Sequence, residues 1–82
     1  MIHRLYSIYD RKAEVYGPIF ASPNDKVGAR TFMQAAMDPE TSFAAAPEDY
    51  VLYCVGIWDD VNAELTSSIT QIVTALEVRQ IG

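Results

Sequence analysis

At 82 residues with a formal net charge of −5, the chain fits one domain. At that length folding buries only about 60% of the surface the unfolded chain exposes. The negative charge excludes simple coating of nucleic acid, because nonspecific affinity comes from Lys and Arg displacing counterions from phosphates. Half of the residues are hydrophobic, and five Tyr, three Phe and one Trp exclude a chain disordered by composition.

Residues 2–9, Ile-His-Arg-Leu-Tyr-Ser-Ile-Tyr, are rich in β-formers and predict a strand. Asp10-Arg11-Lys12-Ala13 is a polar break of hairpin-loop length. A second strand is expected over 14–21, interrupted by Gly17-Pro18; Pro18 lacks a ladder N–H, which puts this strand at an edge or gives it a bulge. Ser22-Pro23-Asn24-Asp25 reads as a helix start, with Ser22 as cap, Pro23 at the first helical position and Asp25 at the third. Ala29, Phe32, Met33, Ala36 and Met37 then form one apolar stripe at helical spacing, with Lys26 and Arg30 on the outer side. Asp38-Pro39 ends the helix.

Residues 39–49 predict a long connection with one helical turn around Thr41–Ala45, and Pro47-Glu48-Asp49 supplies turn chemistry. Residues 50–58, Tyr-Val-Leu-Tyr-Cys-Val-Gly-Ile-Trp, carry apolar residues on both alternating sets and predict a central strand covered on both faces. Asp59-Asp60-Val61-Asn62 turns the chain, and residues 63–67 return as a hairpin partner. In the last stretch, Ile69, Ile72, Val73 and Leu76 fit helical spacing while the β-branched density favours a strand; the helix is preferred. The expected fold is α+β: a small antiparallel sheet of about four strands in ββαββ order, one packed helix and a short C-terminal helix.

No catalytic constellation emerges from the residues. Asp59, Asp60 and Glu64 lack the spacing of a calcium loop, and Glu48-Asp49 are adjacent in a turn. His3 is read as structural or exposed, and Cys54 as a buried small hydrophobe with no disulfide partner. The four glycines are scattered, so no phosphate loop exists. No cofactor, metal or enzymatic activity is expected. No run approaches the ~20 apolar residues of a membrane helix, and no signal peptide is present, so the chain reads as soluble and cytoplasmic.

Charge is unevenly placed. Through residue 30, Arg4, Arg11, Lys12, Lys26 and Arg30 stand against Asp10, Glu14 and Asp25, a balance of +2; beyond it, Arg79 stands alone against eight acids, a balance of −7. Either the basic elements pair locally with acidic loops, or they form a face for an anionic partner. Tyr6, Tyr9, Tyr16, Phe20, Tyr50, Tyr53 and Trp58 all fall on predicted strands. Exposed rings interleaved with cations suit single-stranded nucleic acid, and the same rings suit a core or an interface between subunits. A small chain this rich in apolar residues also favours homo-oligomers.

Two blocks carry a resemblance. One is Leu5-Tyr-Ser-Ile-Tyr-Asp-Arg-Lys-Ala13 with Val15-Tyr-Gly-Pro-Ile-Phe20; the other is Asp38-Pro-Glu-Thr41 with Pro47-Glu-Asp-Tyr-Val-Leu-Tyr-Cys-Val-Gly56 and Asp59-Asp60. Together they resemble the small nonstructural protein of gokushovirus-type microviruses, the phage fifth-open-reading-frame family. The resemblance implies a nonenzymatic accessory of single-stranded DNA genome replication or packaging, made in the host cytoplasm. On that reading Arg4, Arg11, Lys12, Lys26 and Arg30 meet phosphates, and Tyr9 and Tyr16 stack on bases. The alternative is a protein–protein adaptor that binds the phage replication initiator or a host factor without touching nucleic acid.

Overall fold

In a computed structural model, the described residues are 1–38, 40, 46–75 and 77. The element order is β1 (Ile2–Asp10), β2 (Val15–Tyr16), β3 (Phe20–Ser22), α1 (Asp25–Met37), a 3-10 turn (Pro47–Asp49), β4 (Tyr50–Asp59) and β5 (Glu64–Thr74). β1 pairs with β2 and β3 on one side and with β4 on the other, and β4 pairs with β5; all pairs are antiparallel. Among the described residues no helix is long and apolar enough to cross a membrane.

This architecture corrects the expected ββαββ sheet of about four strands. Strands make up half of the described residues, and the antiparallel sheet curls into a half-barrel with one helix. Two physical causes account for the difference. Gly17-Pro18-Ile19 splits the expected edge strand in two, because Pro18 has no N–H to offer β1; the break is anchored instead by Gly17 N–H on the Ile8 carbonyl at 2.9 Å and by the Ser7 hydroxyl on the Gly17 carbonyl at 2.8 Å. At the other end, Ile69, Ile72 and Val73 lie in β5 rather than in a helix. The exposed ladder of β4 offers this β-branched stretch a hydrogen-bonding partner along its whole length, and tertiary pairing overrides helical spacing. β5 stops at Thr74, where Thr74 and Glu77 bond reciprocally: Glu77 N–H to Thr74 Oγ1 at 3.1 Å, and Thr74 N–H to Glu77 Oε1 at 3.3 Å. That is a capping box, and it opens a helical turn. The rest of the expected C-terminal helix, and the turn expected around 41–45, lie outside the described residues.

The helix begins two residues later than Ser22 would place it. Asn24 is the cap, its side-chain oxygen accepting from Val27 N–H at 2.9 Å, and Asp25 is the first helical residue. Ser22 is unavailable as a cap because it is buried in β3, paired with Arg4 of β1. The apolar stripe behaves as its spacing dictates: Phe32 and Ala36 are buried, Ala29 and Met33 are half-buried against the sheet, and Met37 at the end is exposed. They meet Tyr6, Leu52 and Cys54, which come from β1 and β4. Gly28 lets helix and sheet approach closely, since a Cβ there would lie 3.2 Å from the Tyr6 ring.

The two hairpins use one device. In each, an aspartate ends the first strand, accepts turn N–H groups, and is followed four residues later by a residue in the left-handed region: Asp10 with Glu14 (φ 58°), and Asp59 with Ala63 (φ 55°). The Val61 N–H and then the Asn62 side chain hold the Asp59 carboxyl below the ordinary carboxylate range.

Candidate nucleic-acid interface

Side chains alternate across a strand, so β1 and β4 divide into two sets. Tyr6 and Ile8, with their partners Cys54 and Leu52, face α1. Ser7 and Tyr9, with their partners Tyr53 and Val51, face the other way, onto the sheet face that α1 leaves open; there Ser7 and Val51 are buried, while Tyr9 and Tyr53 stay partly exposed. β2 adds Tyr16 to that face, directly opposite Tyr9.

Three tyrosines therefore meet on the open face. Ring centroids are 4.5 Å apart for Tyr9–Tyr16, 5.7 Å for Tyr16–Tyr53 and 6.0 Å for Tyr9–Tyr53. The rings are tilted or edge-on to one another, the favoured arrangement of aromatic quadrupoles. Tyr16 is the outermost, 43% exposed. The strands that carry Tyr9 and Tyr16 are joined by the turn containing Arg11 and Lys12, both exposed. Arg11 is fixed at its base: its N–H donates to the Asp49 carbonyl at 2.7 Å, and its guanidinium reaches the Glu48 carbonyl at 3.4 Å. Asp10, Glu14, Glu48 and Asp49 share this end of the molecule, so its electrostatic pull on an anion is small.

The seven expected contact residues do not form one surface. Tyr9, Tyr16, Arg11 and Lys12 come together at one end of the open face. Lys26 and Arg30 lie exposed on α1, across the sheet from the tyrosines. Arg4 is engaged in structure: its Nε donates to Asp25 Oδ1 at 3.0 Å and to the Tyr6 hydroxyl at 3.1 Å, and the Tyr6 hydroxyl donates to the same carboxylate at 2.6 Å. This cluster ties the first turn of α1 to β1. Burial, followed by the hydrogen bond to Asp25, pushes the Tyr6 phenol up to about 12.

Tyr53 is the site residue that residue-by-residue reading missed. It sits far from Tyr9 in sequence, and only the β1–β4 register brings it alongside. A second feature reached only through the fold is His3, whose Nε2 lies 2.8 Å from Asp60 Oδ2, with the Met1 amino group 2.6 Å from Oδ1. The amino group first and His3 second hold the Asp60 carboxyl below its usual range.

Among the described residues no three His, Cys, Asp or Glu side chains converge on a metal position. The open face continues past the tyrosines into a shallow apolar depression of ≈ 260 Å³, lined by Leu5, Ile19, Val55, Gly56, Leu65 and Ile69 among others. Its chemistry is that of stacking and apolar contact.

No curated protein and no solved structure matches the chain. The family model described as phage ORF5 protein matches residues 3–78, nearly the whole length. The chain belongs to the phage ORF5 protein family.

Proposed function

We propose that this phage protein is a nonenzymatic accessory of single-stranded DNA genome replication or packaging in a gokushovirus-type microvirus, acting in the host cytoplasm. It binds single-stranded DNA on the open sheet face. The observation that carries this reading is the cluster of Tyr9, Tyr16 and Tyr53 beside the Arg11-Lys12 turn. Bases stack on exposed aromatic rings whatever their sequence, and flanking cations hold the backbone. With acids around the turn, Arg11 and Lys12 supply two phosphate contacts at most, and stacking on three rings carries the larger share of the affinity. Arg4 is not among the contacts, since Asp25 and Tyr6 already engage it.

The test is a titration of fluorescently labelled oligothymidylate followed by anisotropy. Two phosphate contacts from Arg11 and Lys12 give a salt slope near about −1.4, so affinity falls about sevenfold between about 50 and about 200 mM salt. Tyr16→Ala weakens binding by about tenfold, the order expected for one lost stacked base. Absence of binding at low salt contradicts the proposal. That outcome favours the adaptor reading, in which the replication initiator or a host factor is the partner; the net charge of −5 is the observation on its side.

A further inference from the structure

The apolar depression on the open face lies where the sheet loses its regular register. In the β1 ladder Leu5 faces Gly56 and Tyr6 faces Cys54, so Val55 has no residue opposite it. The β5 ladder shifts at the same place, between Cys54 and Gly56, whose partners are Thr70 and Ser67. Bulges of this kind bend a strand and re-aim a side chain, and they gather beside binding sites. At this one Val55 joins Leu5, Ile19, Leu65 and Ile69 around the depression. Ile19, Leu65 and Ile69 are each more than half exposed, so the depression opens to solvent. Among the described residues that line it, none is charged.

Three properties select its occupant. The first is size: at ≈ 260 Å³ and shallow, it takes one ring-sized group. The second is continuity with the tyrosines. Leu5, Ser7 and Tyr9 are alternate residues of β1 on one face, and four residues of strand span about 13 Å. A single strand stacked on the tyrosines passes over the depression within a few nucleotides. The third is polarity. An uncharged apolar hollow offers a phosphate nothing, so the part of a nucleotide that enters is the base. Thymine carries an apolar substituent, its C5 methyl, where apolar side chains make contact. Adenine, cytosine and guanine carry amino groups, which lose water in an apolar hollow.

We propose that the depression is a thymine subsite: the C5 methyl of one base packs against Val55, Leu65 and Ile69 while neighbouring bases stack on Tyr9, Tyr16 and Tyr53. This rests on the single-stranded DNA reading above and adds a base preference to it.

The test compares oligothymidylate with oligodeoxyuridylate of equal length by anisotropy. The two differ only in the C5 methyl, so their charge is matched. Burying one methyl is expected to make oligothymidylate bind about fourfold tighter. Ile69→Ser and Leu65→Ser, both at exposed positions, are each expected to bring that ratio below about twofold, with an unchanged far-ultraviolet circular dichroism spectrum. Tyr16→Ala is expected to weaken both oligonucleotides alike and keep the ratio. Equal binding of the two by the wild type overturns the inference and leaves the proposed function standing. A ratio that survives both serine variants also overturns it, and is the outcome if a second copy or another protein fills the depression. A ratio lost in Tyr16→Ala but kept in Ile69→Ser puts the methyl on the rings, and overturns it too. No binding of either oligonucleotide contradicts the proposed function and this inference with it.

Discussion

The two faces of the sheet are built from alternate residues of the same strands, and they are finished in opposite ways. On the covered face, Tyr6, Leu52 and Cys54 meet Phe32 and Ala36 of α1 with almost no exposure, and the polar groups at the rim are bonded through Arg4 and Asp25. On the open face, Tyr9, Tyr16 and Tyr53 gather at one end while Ile19, Leu65 and Ile69 stand in solvent at the other. Among the described residues one helix covers one face, while the other face buries only Ser7 and Val51 and leaves its tyrosines partly exposed. The comparison yields measurable differences.

Phe32→Ala removes the largest helix side chain from the covered face, and is expected to lower stability by about 3–5 kcal/mol in urea denaturation, enough to unfold a marginal domain. Gly56→Ala comes next. A Cβ at Gly56 would clash with the Thr66 carbonyl oxygen, so β5 must move off β4, and a loss of about 3 kcal/mol is expected in urea denaturation. Tyr6→Phe should cost about 2 kcal/mol, the hydrogen bond to a carboxylate. It also changes the response to alkali. The fold favours the neutral phenol and raises its pKa from 10 to about 12, so this contribution is full below pH 10 and is lost as pH climbs from about 10 to 12. Denaturation midpoints across that window should fall more steeply for the wild type than for Tyr6→Phe. The smallest effect belongs to the open face. Leu65→Ser should change the stability of the single chain by no more than about 0.5 kcal/mol. A loss comparable to that of Phe32→Ala would mean that this face is packed after all.

Much of the covered face was legible in the sequence. The run Tyr50–Trp58 announces a central strand because both alternating sets are apolar, and the stripe through Phe32 and Ala36 announces the helix face that meets it. The use of Gly28, room for the Tyr6 ring, has no local signal, because it depends on a partner from another element. The last strand was misread because Ile69, Ile72 and Val73 satisfy helical spacing locally, and only the vacant edge of β4 decides the matter. The candidate site was half legible. Tyr9 and Tyr16 flank one hairpin turn with Arg11 and Lys12, so short-range reading groups them. Tyr53 joins through non-local register, and Arg4 leaves the group through a contact with Asp25 that no local pattern reveals.

The central claim is that the open face, not the helix, meets DNA. Two double variants remove the same charge from the two sides: Arg11→Ala/Lys12→Ala beside the tyrosines, and Lys26→Ala/Arg30→Ala on α1. Because net charge changes equally, any difference in oligonucleotide affinity reports position alone. The account predicts at least an about tenfold loss for the first pair and no more than an about twofold loss for the second. Equal losses, or a larger loss from the helix pair, would contradict it.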